Sequence, residues 1–468
     1  MSAPPQQQSA GPEPASALVA RLRAAFDTGR TRPLAFRQEQ LAGLTRFLKE
    51  RERDIQDALH HDLGRPPLEA FTGDIAHPAS ELAYVRKHLG KWVRPERVST
   101  PLVVRPGRSY VYREPLGVVL IIAPWNYPVQ LVLVPLVGAL AAGNCAVIKP
   151  SEVAPATSAL LARSLPQYLD GDCVRVVEGG VAEATALLAE RFDHIFYTGN
   201  GTVGRVVMQA AAKHLTPVTL ELGGKSPCVV DQSTDLDVAA RRIVWGKFYN
   251  AGQTCIAPDY VLGHEAIEEA LLARLKQTVR DFYGDDPRTS PDYGRIVNVR
   301  HHRRLMALLP GSGEVVTGGD ANEAERYLAP TVLRDVPADA PVMADEIFGP
   351  ILPVLRVKDI DEAIAFVNAR PRPLALYLFT KDGEVQRRVL ERTSSGGALV
   401  NHISLHFSVP SLPFGGVGPS GMGAYHGKAS FETFSHRKSV LVKPTWLDPR
   451  LIYPPYNETK KKWIRRLL

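Results

Sequence analysis

Between residues 118 and 222 the chain alternates short apolar runs with segments of helical spacing, and this alternation limits its fold more than any other feature. Residues 118–123, 145–148, 174–177, 194–197 and 218–222 read as strands, and 157–168, 182–191 and 202–214 as the helices between them. Strands joined through helices of this length pair in parallel, so the chain is expected to be α/β, with a sheet covered on both faces. Sheets of that kind bind ligands beyond the carboxyl ends of their strands, which makes this half a nucleotide-domain candidate. A looser alternation through 229–230, 243–250, 260–262, 266–283, 354–357 and 375–379 predicts a second α/β unit.

Ahead of the alternation, Leu18, Val19, Leu22 and Phe26 fall at helical spacing before a stop at Gly29. Pro33 then opens one longer amphipathic helix through Leu63, ended by Gly64, Arg65 and Pro66, and residues 110–113 read as a short strand. The most apolar stretch, 116–143, is interrupted by Pro124, Asn126, Pro128 and Pro135. No run of the roughly 20 apolar residues that a membrane span needs is left, so a buried strand, a turn and a buried helix are expected there. Residues 413–427 are too rich in glycine for a regular element, and a strand is expected at 439–443.

Composition enters mainly as an exclusion. A net charge of +7 over 468 residues is no dense basic stripe, so nucleic acid is not an expected partner. Four cysteines without CxxC or Cys/His ligand spacing predict neither a disulfide framework nor a metal site. Cys145, Cys173 and Cys228 read as small buried apolar residues. Residues 1–15 lack the charged and apolar regions of a signal peptide and read as a disordered leader, so a cytoplasmic location is expected.

Several short strings could carry chemistry. Cys255 lies among the small residues Gly252, Thr254 and Ala257, which leave room for a carbonyl that a thiolate can attack. Glu221, in LELGGK, ends a strand before two glycines, where a carboxylate must leave the sheet edge and enter the cleft. Asn126, in PWNYP, sits at a strand–helix turn and can aim an N–H at an oxyanion. Gly199, Gly201 and Gly204 spell GxGxxG around Asn200, between a strand and a helix, the context that brings a helix N-terminus near a pyrophosphate. Lys149 and Glu152 follow the strand before them, and Glu346 and Phe348 occur in EIFGP.

In this order, over roughly residues 16–456, the strings PWNYP, LELGGK, NAGQTC, EIFGP and PFGGVGPSGMG resemble an aldehyde dehydrogenase of the class 3 kind, a group that includes fatty aldehyde dehydrogenases. The resemblance implies oxidation of an aldehyde to a carboxylic acid with NAD or NADP, through a thiohemiacetal and a thioester on Cys255. It implies that Glu221 activates water and that Asn126 holds the oxyanion, with Lys225 structural. Lys149 and Glu152 would reach the adenosine ribose, Gly199, Asn200 and Gly204 the phosphates, and Glu346 and Phe348 the nicotinamide ribose. A glutamate bonded to a 2′-hydroxyl repels a 2′-phosphate, a slight lean to NAD. Medium or long aliphatic, or aromatic, aldehydes are favoured; His402 stands where relatives usually have aspartate, near the substrate mouth.

The implied layout is a Rossmann-like NAD(P)-binding domain over 16–105 and 117–221 and a catalytic domain over 222–410. A small β oligomerisation arm over 106–116 and 411–445 would form a homodimer, followed by a basic tail at 446–468. Within the tail, TKKKWIRRLL has the composition of a segment in weak peripheral contact with an anionic membrane; a solvated end or a helix capping the substrate channel are the other readings. Two other functions fit parts of the pattern. A cofactor-independent cysteine thioesterase or esterase leaves GNGTVG and EIFGP unexplained, and a non-catalytic scaffold leaves the set Cys255, Glu221 and Asn126 without purpose.

Overall fold

The computed structural model describes residues 13–467. Its strands, in chain order, are β1 (Glu96–Val98), β2 (Arg108–Pro115), β3 (Val118–Ile122), β4 (Cys145–Lys149), β5 (Val174–Val176), β6 (His194–Thr198), β7 (Val218–Glu221), β8 (Pro227–Val230) and β9 (Tyr260–His264). The second half adds β10 (Glu314–Thr317), β11 (Ala321–Asn322), β12 (Tyr327–Leu328), β13 (Thr331–Arg334), β14 (Ile351–Val357), β15 (Ala375–Phe379), β16 (Gly397–Val400), β17 (Gly421–Met422) and β18 (Ser435–Val442).

The first sheet has the order β17-β7-β6-β3-β4-β5. All its pairings are parallel except β17 with β7. From the central β3 the chain steps outward to β4 and β5, then returns to β6 on the other side. That reversal between β3 and β6 is the switch point at which open parallel sheets bind ligands. The helix Gln130–Ala142, buried at every position, leads from β3 to β4 and explains the apolar run; Pro135 is accommodated inside it. Among the described residues no helix is long and apolar enough to cross a membrane.

A second sheet, β10-β13-β14-β9-β8-β15-β16, is parallel apart from its β10 edge. Only residues 222–226 separate β7 of the first sheet from β8 of the second. A third, antiparallel sheet, β1-β2-β18, pairs β18 with β2 over eight residues.

Some elements differ from those expected. The helix read from Pro33 to Leu63 is two helices, Leu34–Glu50 and Glu52–Leu63, separated at Arg51 (φ −110°, ψ 16°). No proline or glycine marks the break; Arg51 turns out to meet Tyr168 Oη at 3.2 Å and Gln167 Oε1 at 3.0 Å. The helix His77–Trp92, to which the sequence reading assigns nothing, buries Leu82, Val85, Leu89 and Trp92 on one face. Residues 413–427 are mostly irregular but include β17, whose Gly421 lies opposite Glu221; a Cβ there would run into the Leu220 carbonyl. Of the expected leader 1–15, residues 1–12 lie outside the described residues. Glu13 pairs with Arg21, and Ala15 already opens the first helix.

Candidate active site

Strands β3, β4, β6 and β7 end in register at one edge of the first sheet, with Ile122 opposite Lys149 and Tyr197, and Thr198 opposite Glu221. The register therefore collects the turn bearing Asn126, the Lys149–Glu152 segment, the glycine turn and Glu221 along that edge. The Lys149 ammonium is buried, donating to the Pro150 carbonyl at 2.8 Å and lying 3.5 Å from the half-exposed Glu152 carboxylate. Gly199 N–H donates to the Glu221 carbonyl at 3.0 Å, joining the turn to β7.

Two members of the glycine turn have structural work. The Asn200 side chain caps the helix Gly201–Ala212, accepting from Val203 N–H at 3.0 Å. Gly204 is buried, and a Cβ there would stand 3.0 Å from Leu222 Cδ2, so this glycine lets helix and strand pack closely. The Asn200 side chain and the missing Cβ of Gly204 thus also serve the packing of the turn. Gly199 and the N-terminus of that helix stand just beyond the carboxyl end of β6.

The loop before Cys255 is shaped by three successive left-handed residues, Asn250 (φ 53°), Ala251 (φ 50°) and Gly252 (φ 75°). For the first two this conformation costs about 1–3 kcal/mol each, so neighbours must hold it. At Gly252 a Cβ would lie 2.9 Å from Pro350 N and run into the Gly349 carbonyl, which fixes glycine there. Gln253, buried, donates to the carbonyls of Asn250 and Arg295 at 3.0 Å each and accepts from Val297 N–H at 2.9 Å. Asn126 Nδ2 donates to the Gln253 carbonyl at 3.0 Å, and Tyr127 Oη meets Thr254 Oγ1 at 2.7 Å. The β3 turn and the Cys255 loop are therefore bonded together.

A cavity of about 750 Å³ opens onto this junction. Cys255, Glu221 and Thr198 line its polar part, and Leu131, Trp245, Tyr249, Phe282, Phe407 and Phe414 belong to its apolar wall. Asn126 is buried outside that lining, at the back of the loop it bonds to. His402 is outside it too; its ring packs edge-on against Trp245, 5.8 Å between centroids, so it bears on the wall at second hand. Both Glu221 carboxyl oxygens and the Thr198 hydroxyl are buried without a protein partner. Orphaned polar atoms facing a cavity are sites that water or a ligand completes.

Charge at the junction is set by burial. Burial, followed by the carboxylates of Glu346 and Glu221, pushes the Cys255 thiol up to about 12, while its own N–H and that of Ile256 pull the other way. Burial alone pushes the Glu221 carboxyl well above the usual range. Glu346 rises to about 8, through burial first and Asp259 second, against the Gly224 N–H, Lys225 and Arg304. Burial in the protein alone thus favours the neutral forms of the thiol and the carboxyls.

Glu346 abuts Gly223, and Phe348 (φ 48°) meets Trp125 edge-on at 5.4 Å, so EIFGP lies against both the β7 end and the β3 turn. Lys225 is ion-paired with Asp259 and donates to the carbonyls of Val342 and Asp345 at 2.9 and 3.0 Å, tying the LGGK turn to the segment before Glu346. Cys145, Cys173 and Cys228 are buried free thiols. No group of three or more His, Cys, Asp or Glu side chains is arranged to hold a metal among the described residues. Sequence reasoning missed Thr198, Gln253 and Tyr127, although Gln253 and Tyr127 lie inside strings it singled out. It also read Arg65 only as part of a helix stop and gave Asp74 no role.

Residues 5–440 match the profile of the Aldehyde dehydrogenase family. The chain is 52% identical over 452 residues to mouse "Aldehyde dehydrogenase family 3 member A2", covering 96% of this chain and 93% of the relative. It is 51% identical over 442 residues to dog "Aldehyde dehydrogenase, dimeric NADP-preferring", covering 94% and 97%. Among solved structures, a substrate-bound state of Staphylococcus aureus AldH superposes with a TM-score of 0.94 at 47% identity, covering 96% of this chain and 98% of that one.

Proposed function

Because the chain belongs to the aldehyde dehydrogenase family, its reaction is the NAD(P)-dependent oxidation of an aldehyde to a carboxylic acid, and we propose that Cys255, Glu221 and Asn126 carry it. The observation that supports this most is the single cavity in which the Cys255 thiol and the unpartnered Glu221 carboxyl share a polar end. Cys255 gives up its thiol proton to solvent and adds as the thiolate to the aldehyde carbonyl, forming a thiohemiacetal, while the remaining N–H of the Asn126 amide and the Cys255 backbone N–H stabilise the oxyanion. Loss of hydride leaves a thioester on Cys255. Glu221 then takes a proton from water, and the hydroxide releases the carboxylic acid.

NAD or NADP, when bound, accepts the hydride. The carboxyl edge of the first sheet fits such a group, with buried Lys149 and half-exposed Glu152 at β4, the Gly199 turn at β6, and Glu346 beside the β7 end. Glu152 favours NAD through a ribose hydroxyl. The dog relative is named NADP-preferring, so the ratio of kcat/KM with the two cofactors decides the preference.

The apolar wall suits medium or long aliphatic, or aromatic, aldehydes, since most of an occupant would contact aromatic and aliphatic side chains. NAD(P)H absorbance over aldehydes of two to sixteen carbons tests both readings. The signal is lost in Cys255→Ala, and in Glu221→Gln a first turnover of NAD(P)H appears before the reaction stalls. Steady turnover by Glu221→Gln at the wild-type rate refutes the role of Glu221. Acid release without cofactor favours the esterase.

We also infer a homodimer built through the β1-β2-β18 sheet, where Leu441 and Val442 are exposed; the dog relative is named dimeric. The tail helix Glu458–Leu467, with Lys460, Lys461, Lys462, Arg465 and Arg466 around an exposed Trp463, suits weak contact with an anionic bilayer, read by vesicle sedimentation. Three buried free thiols accord with a cytoplasmic location.

A further inference from the structure

Arg65 is fully buried in the short link between the helix Glu52–Leu63 and the turn Pro67–Ala70, and its guanidinium reaches three separate parts of the chain. One Nη donates to Asp74, the other to the carbonyl of Asn126, and Nε donates to Asn250 Oδ1 at 3.2 Å. The same group lies over the Tyr127 ring, 4.6 Å from its centroid. Asp74, also fully buried, accepts with its other oxygen from Val129 and Gln130 N–H at 2.9 and 2.8 Å. Those are N–H groups at the start of the buried helix Gln130–Ala142, whose register sets where the preceding turn lies.

Asn250 closes the circuit. Its Nδ2 donates to the Asn126 carbonyl at 2.9 Å and to the Gln253 carbonyl at 3.2 Å, the same carbonyl that receives the Asn126 side-chain N–H. The Asn126 main chain is therefore gripped by Arg65 and Asn250, while its side chain is bonded to the residue two before Cys255. A buried charge survives without loss of stability only when its pairing is complete, and here the ion pair ends entirely on groups that border the reacting centre. The planar fork of a guanidinium can serve three acceptors at fixed angles; an ammonium on a flexible stem cannot.

We propose that Arg65, with Asp74 as its counter-ion, is a positioning residue for the oxyanion site. It sets the angle between the Asn126 turn and the Cys255 loop, and so where the Asn126 amide stands relative to the thiohemiacetal oxygen. The proposal rests on the reading of Asn126 as an oxyanion donor. It assigns no contact between Arg65 and substrate.

The test is a double-mutant cycle on the full-length enzyme with Arg65→Lys, Asn126→Ala and the pair, assayed below the melting temperature of each. Arg65→Lys is expected to lower kcat by about 100-fold, the cost of a misplacement near 1 Å, with KM for the aldehyde changed less than threefold. Alkylation of Cys255 by iodoacetamide, which needs no oxyanion donor, should stay within twofold of wild type. In the Asn126→Ala background the same substitution should cost less than threefold, because the donor it positions is already gone. An additive cost, or a kcat within threefold of wild type for Arg65→Lys, overturns the proposal. A kcat unmoved by Asn126→Ala overturns the underlying role of Asn126 instead. If Arg65→Lys gives no soluble protein, Asp74→Asn carries the same cycle, since its amide oxygen can still accept from Val129 and Gln130 N–H.

Discussion

Replacing Gly223 by alanine places a methyl carbon 2.6 Å from the Glu346 carboxyl carbon and equally close to its Oε1. The backbone of Gly223 does not object, because it is outside the left-handed region that Gly224 occupies at φ 147°. The closest conflict is thus with Glu346. Carbon–carbon contact becomes comfortable near about 3.5 Å, so the carboxylate must retreat by roughly 0.9 Å. That movement also pulls it from the Gly224 N–H that bonds it. If Glu346 holds the nicotinamide ribose, the lost charge-assisted hydrogen bond is worth about 1.5–3 kcal/mol, or roughly a 10- to 150-fold rise in Kd. Fluorescence titration with NADH reads this directly, and thermal melting shows whether the variant is folded. Gly180→Ala, where an added Cβ meets nothing within 4 Å, is the control and should bind as wild type does. A folded Gly223→Ala enzyme whose Kd stays within twofold of wild type would refute the assignment of Glu346.

With the Cys255 thiol held high by burial and by the Glu346 and Glu221 carboxylates, alkylation of the ligand-free enzyme by iodoacetamide should climb about tenfold per pH unit from pH 7 to 9.5. Glu346→Gln removes a neighbour that is negative above about pH 8, which lowers the thiol pKa and should raise the rate at alkaline pH with little change at pH 7; a plateau near pH 8 in the wild type contradicts the geometry. Gly43→Ala, in the helix Leu34–Glu50, should lower stability by about 1–3 kcal/mol despite better helix propensity, because its Cβ would run into the Tyr168 carbonyl. Denaturant unfolding checks the sign.

How legible these features were follows from where their determinants lie. The parallel strands announced themselves because strands buried on both faces are apolar runs, as in Val118–Ile122, and the glycine turn followed from its place between a strand and a helix. Cys255 and Glu221 could be picked out because long strings surround them. The helix break at Arg51 was invisible, since Tyr168 and Gln167, more than a hundred residues on, hold it. His77–Trp92 was readable in principle: Leu82, Val85, Leu89 and Trp92 recur every three or four residues. Arg65 and Asp74 carry no local signal, because nine residues of spacing say nothing about a shared burial site beneath Asn126. The pairing of Gly421 with Glu221 is likewise a matter of two hundred intervening residues.

The edge strand β17 has a consequence for how the molecule is made. Chains leave the ribosome amino end first, and folding units tend to settle as they emerge. Strands β3 to β7 can pair once residue 221 is out, yet Glu221 then sits on an open edge whose neighbour, Gly421, is two hundred residues from being synthesised. The ribbon of β2 with β18 waits longer still, until Val442. Nascent chains would therefore pass through a state with the first sheet formed and its β7 edge unpaired, the kind of edge that recruits other strands. Pulse proteolysis of stalled chains truncated before and after residue 425 would show that edge becoming protected only in the longer one.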